Sequence, residues 1–149
     1  MLQRNDNDLF YTCGLIEHIG RTRKLRRGDV ADQLGETNLQ RIYRFADVLH
    51  CDNIDHVAEE YCELAGVTEG DFDNVEACDY EVPERWAIAG VYARLVEDVA
   101  PADCDDPVPV LLDVYRSWVS DAISDYNTDF FYQPRSYIAA CYETGEVLE

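Results

Sequence analysis

Asp47-x-x-His50 sets a carboxylate and an imidazole three residues apart, on one face of any helix that carries them. Glu-x-x-His pairs with this spacing hold the metals of carboxylate di-metal bundles, where two such pairs work with two further carboxylates. The rest of that set is missing here. His56-x-x-Glu59 runs in the opposite order, and Glu17 stands directly beside His18. Asp47, His50 and Glu59, with His56 nearby, make an incomplete metal set, and a carboxylate/histidine metal-dependent enzyme is the last of three functional readings. The segment EGDFDN offers a different metal chemistry. Asp71 and Asp73 match the first and third ligands of a calcium loop, but Val75 stands at the fifth position and Glu76 where glycine is required. There is no Gly-x-Ser-x-Gly, no cysteine in a catalytic signature, and no glycine loop to cradle phosphate. The sequence therefore predicts no catalytic residue, no cofactor and no metal.

Two other sets offer binding rather than bond-making. Residues 21–27, RTRKLRR, hold five of the twelve positive side chains of a protein whose net charge is −19. A DNA-binding regulator would use Arg21, Arg23, Lys24, Arg26 and Arg27 against phosphate, together with a helix pair over 28–45. Val30, Ala31, Leu34 and Gly35 follow the first half of a helix-turn-helix. In the second half Glu36 and Arg41 occupy apolar positions, and Leu39, Ile42 and Phe45 are out of step; a shifted turn would leave Gln40, Arg41 and Arg44 facing outward. The plainer expectation is that the basic segment is a solvated connection, or that it docks on the acidic remainder of its own chain. The second set is Phe130, Phe131 and Tyr132. Three consecutive aromatics cannot all face one core; they read as a loop plug over the core or, with at least one at the surface, as partner anchors. Asp71, Asp73 and Glu76 would form their acidic rim.

The elements that must position these groups are helical. Leu9, Cys13, Ile16 and Ile19 line one face of a first helix after cap candidates Asn5–Asp8. A short helix over 28–34 closes at Gly35. Leu39, Ile42, Tyr43, Ala46 and Leu49 mark a third, and Ile54, Val57, Ala58, Tyr61, Cys62 and Ala65 a fourth that ends at Gly66. Residues 67–83 break the pattern and read as a long loop, with or without a short hairpin. Trp86 to Val99 restores it. Pro107 fits the first turn of a helix carrying Leu111, Val114, Tyr115, Trp118, Ala122 and Ile123. Pro134 opens a last one with Tyr137, Ile138, Cys141 and Tyr142. The expectation is one compact all-α domain spanning 1–149, of about seven orthogonally packed helices.

Composition agrees with a globular chain: 149 residues, 47% of them hydrophobic, with ten tyrosines. The opening MLQRNDNDLF lacks the basic and apolar regions of an export signal, and no apolar stretch has the length of a membrane span, so the expected location is the cytoplasm. The six cysteines are scattered singly, which predicts reduced, structural thiols. Charge is distributed unevenly. Residues 1–44 carry eight basic and six acidic side chains, and residues 45–149 four and twenty-five. Such a field disfavours nucleic acid over most of the surface and favours a basic protein partner.

The runs NDNDLFYTCGLIEHIG, RRGDV, RIYRFADVLHCDNIDHVAEEY and FDNVEACDYEVPERWAIAGVYARLVEDV resemble a family of small acidic bacterial proteins of uncharacterised function. That family is associated with loci encoding an ADP-ribosyltransferase-like protein. The resemblance implies a partner or neutraliser of an enzyme rather than an enzyme, and it brings no catalytic residues. Taken together, the sequence favours a non-catalytic protein of antitoxin-like or immunity-like role that binds a basic protein.

Overall fold

Ten consecutive residues, Tyr11–Gly20, are buried. They belong to a helix, Asn7–Arg23 (α1), that starts at Asp6, whose carboxylate accepts from the backbone N–H groups of Asp8 at 2.9 Å and Leu9 at 3.1 Å. A helix buried on every side is a core helix, and the remaining elements pack around this one. The computed structural model describes residues 6–149; the cap candidate Asn5, and the first residues of the stretch weighed as an export signal, lie outside them.

Arg27–Arg44 (α2), Ala46–Leu49 (α3) and Ile54–Ala65 (α4) follow. After the irregular segment 67–83 come Arg85–Val99 (α5), Val108–Arg116 (α6) and Trp118–Ser124 (α7). A single 3₁₀ turn, Phe130–Tyr132, then leads into Arg135–Thr144 (α8). The described residues hold these eight α-helices and no strand, so the chain is all-α. α1 packs chiefly on α5 and α2, with α4 and α3 also against it; α2 packs on α6, and α5 on α8. Tyr92 of α5 stacks on Tyr115 of α6 with ring centroids 4.2 Å apart, and its hydroxyl reaches the Ser120 hydroxyl at 2.8 Å. Among the described residues no helix is long and apolar enough to cross a membrane. All six cysteines are free, and Cys13, Cys62 and Cys141 are buried.

Two elements differ from the sequence pattern. The run 108–124 is two helices, because Ser117 has an extended backbone (φ −83°, ψ 164°) and its hydroxyl donates to the Val114 carbonyl at 2.6 Å. Serine competes in this way for helical carbonyls. The pair expected over 28–45 is α2, whose two limbs meet at Gly35 alone (φ 78°, ψ 162°). A helix-turn-helix joins its helices through a three- to four-residue turn. Here helical register resumes at once, which buries Leu39 and Ile42 and leaves Glu36 and Arg41 exposed.

Candidate functional site

Glu17 sits in the middle of α1 among apolar neighbours and is fully buried. A carboxylate in that position needs a positive partner, and the basic segment supplies it. Arg27, at the start of α2, is also buried; its side chain lies so close to Gly20 that a Cβ there would stand 2.3 Å from its Cδ. Its guanidinium donates to Glu17 through Nε at 2.9 Å and Nη2 at 3.1 Å, to the Leu25 carbonyl at 2.7 Å and to Asn74 Oδ1 at 2.9 Å. Arg21 donates to the same carboxylate at 2.8 Å, and the Tyr126 hydroxyl donates to it as well. Burial drives the Glu17 carboxyl upward, but Arg27 and then Arg21 more than offset this, and its pKa lies below the ordinary value. Burial and the Glu17 charge push the Tyr126 hydroxyl up to about 12.

Each cation of the segment also holds the 67–83 loop or what lies beside it. Arg21 donates to the Pro83 carbonyl at 2.8 Å and Arg23 to that of Val67 at 3.4 Å. Lys24 lies 3.8 Å from Asp73. Arg26 lies over the Phe72 ring at 5.7 Å and 3.5 Å from Asp121. The backbone joins in: Gly70 N–H donates to the Arg23 carbonyl and Phe72 N–H to that of Lys24, both at 2.9 Å. Asn74, already bound to Arg27, donates to the Ser124 carbonyl at 2.9 Å. The basic segment is therefore docked within its own chain, as the scaffold of the long loop.

The docked loop faces the end of α7 across a cleft of about 480 Å³. Asp71 and Asp73 line it from the loop, Asp121 and Asp125 from α7 and its C-cap, with Phe72 and Tyr126 as aromatic wall and Arg26 as the single cation among the lining residues. Exposed carboxylates gathered around an aromatic face can take a guanidinium or ammonium group by charge-assisted hydrogen bonds and by stacking.

The sequence candidates divide accordingly. Asp71 and Asp73 are in the cleft; Glu76 is exposed just beyond it, its N–H bonded to Asp73 at 3.0 Å. Phe130 and Phe131 are corrections: both are buried, packed on Trp118 and Tyr126, and present no anchor. Tyr132 is 78% exposed, and it lines a separate groove beside Trp86 rather than the acidic cleft. Arg27 is a second correction, since a guanidinium buried on Glu17 cannot meet a phosphate. Arg41 and Arg44 are exposed on the second limb of α2. The metal set is not assembled: Asp47 and His50 line one cavity and Glu59 another, and His56 is tied to Asp52 at 2.7 Å. No group of three potential ligands occurs among the described residues.

Sequence reasoning missed Glu17, Asn74 and Tyr126. For Glu17 a signal was present, a lone carboxylate on a helix with apolar residues on every side and five cations following within ten residues. Asn74 and Tyr126 carried none, because their role exists only once residues far apart in sequence meet. Compared with protein-family models, curated proteins and solved structures, the chain matches none.

Proposed function

We infer that this is a non-catalytic binding protein whose acidic cleft receives a basic side chain of a protein partner. The observation that carries the reading is the seat of Arg26: a guanidinium over Phe72 and beside Asp121, its side chain 59% exposed, in a cleft whose carboxylates outnumber it four to one. A partner arginine would meet the same two groups and, in addition, Asp71 and Asp125. The protein's net charge of −19 would speed encounter with such a partner. Neutralising a basic enzyme, in the manner of an antitoxin or immunity protein, is the role that this chemistry serves.

The test is fluorescence anisotropy with a labelled arginine-rich peptide at 50 and 300 mM salt. A variant with Asp71→Asn, Asp121→Asn and Asp125→Asn should lose about tenfold in affinity, three exposed ion pairs at about 0.5 kcal/mol each. A charge-matched control, Glu59→Gln with Glu63→Gln and Asp113→Asn, should bind as the wild type does. Equal losses in both variants would reduce the interaction to net charge and remove the cleft from it.

A further inference from the structure

A second cavity, of about 510 Å³, opens between the first turns of α1, the short helix α3 and the start of α5, and it shares no lining residue with the acidic cleft. Its walls are of two kinds. Phe10 and Trp86 form an apolar side, their ring centroids 5.2 Å apart. Asp8 and Asp47 stand among the lining residues as two carboxylates, and His50 is the one lining residue able to carry positive charge. Tyr11 also lines the cavity; it is more than nine-tenths buried, and its hydroxyl has no hydrogen-bond partner among the described residues.

This is the make-up of a small-molecule site, a mostly apolar hollow with a few polar groups that orient what enters. The polar groups are specific about charge. Burial raises the Asp8 pKa first, and the crowding of its carboxylate with those of Asp6 and Asp47 raises it further, against the opposite pull of His50. A cation placed there relieves the crowding, whereas an anion would add to it. The apolar side asks for more than an inorganic ion, since Phe10 and Trp86 offer such an ion no ligand and an organic group a surface to cover. Trp86 already accepts one cation from its own chain: the Arg85 guanidinium carbon lies 5.2 Å from the ring centroid.

We propose that the cavity binds an organic ammonium ion with an apolar arm, the ammonium group between Asp8 and Asp47 and the arm against Phe10 and Trp86. A free amine and a lysine side chain on a peptide share this chemistry. The experiment follows the two tryptophan indole N–H signals by ¹H–¹⁵N NMR, assigned with Trp118→Phe, since Trp118 packs on Phe130 and does not line the cavity. Four probes are added in turn: 2-phenylethylamine, its neutral counterpart 2-phenylethanol, a short lysine peptide, and the same peptide with norleucine for lysine.

The expected result is a saturable shift of the Trp86 signal with the amine, the lysine peptide or both, and at least tenfold weaker binding of the matching neutral probe. Which of the two cations binds more tightly tells the free amine from the polypeptide source. Asp8→Asn with Asp47→Asn should lose about tenfold in affinity for the cation while keeping a dispersed spectrum; should the double variant unfold, Asp47→Asn alone carries the test, with a smaller loss expected. Neutral and charged probes binding equally would leave only a greasy hollow and overturn the proposal. So would an unmoved Trp86 signal with all four probes, or unchanged cation affinity in a folded carboxylate variant.

Discussion

Arg27 and Glu17 are the residues on which most else depends. Both are fully buried and each satisfies the other, with Asn74, Tyr126 and Arg21 completing the cluster. Removing one member of a buried pair strands the other's charge, at a cost of about 3–5 kcal/mol. Arg27→Met should lower the unfolding free energy measured in urea by an amount of that order, a large part of a domain stability of about 5–15 kcal/mol. Glu17→Leu with Arg27→Met, which removes both charges of the pair and leaves Arg21 on the Pro83 carbonyl, should recover part of it. His18, the next residue on α1, titrates in a separate window. Its Nε2 lies 2.7 Å from Asp55, and Arg85 donates to its Nδ1 at 2.7 Å. Burial and the Arg85 charge, followed more weakly by Arg21, lower its pKa against the pull of Asp55. The unfolded chain therefore takes up the proton more readily than the folded one. The contribution of His18 is complete above its ordinary value of 6.5 and is lost as pH falls below it. Urea midpoints between pH 7.5 and 5.5 should decline for the wild type and flatten for His18→Gln; parallel declines would remove His18 as the cause. Nothing in the sequence announced this role for Arg27 or His18, and for Glu17 the signal lay only in its apolar surroundings and the cations that follow it. Spacing shows which face a side chain occupies, but the face that carries Glu17 is buried only because α2 and the loop cover it.

At the scale of elements, apolar spacing made α1, α4, α5 and α8 legible, since each presents its hydrophobic residues to one continuous core at helical period. The breaks were harder. Ser117 interrupts α6 and α7 through its own hydroxyl, and serine is too common within helical patterns to mark a boundary. Gly35 did stand out, but as the end of a helix and the hinge of a DNA-binding pair. A helix does end there, and the second limb of α2 begins at once, across backbone angles open to glycine almost alone. Gly35→Ala should therefore cost about 1–3 kcal/mol although nothing stands within 4 Å of the added methyl group. Thermal unfolding with circular dichroism measures it; a variant as stable as the wild type would show that α2 straightens freely. The loop 67–83 was legible as a loop, but its docked path was not, because that path is drawn by cations up to 62 residues earlier in the chain.

For the whole molecule, the docking of the basic segment settles how charge is presented. Arg21, Lys24, Arg26 and Arg27 are paired with this chain's own carboxylates, so the outer field is more uniformly acidic than the sequence suggests. The Tyr126–Glu17 bond spans 109 residues, and the cleft lies where its two ends meet. During synthesis the cations that scaffold the loop leave the ribosome before it, and Ser124 and Tyr126, which close the far side, follow it. A chain still short of Tyr126 has the residues that seat the loop on Arg23 and Lys24 but lacks the hydroxyl that caps Glu17. The cleft is complete only once residues 121–127 have been made.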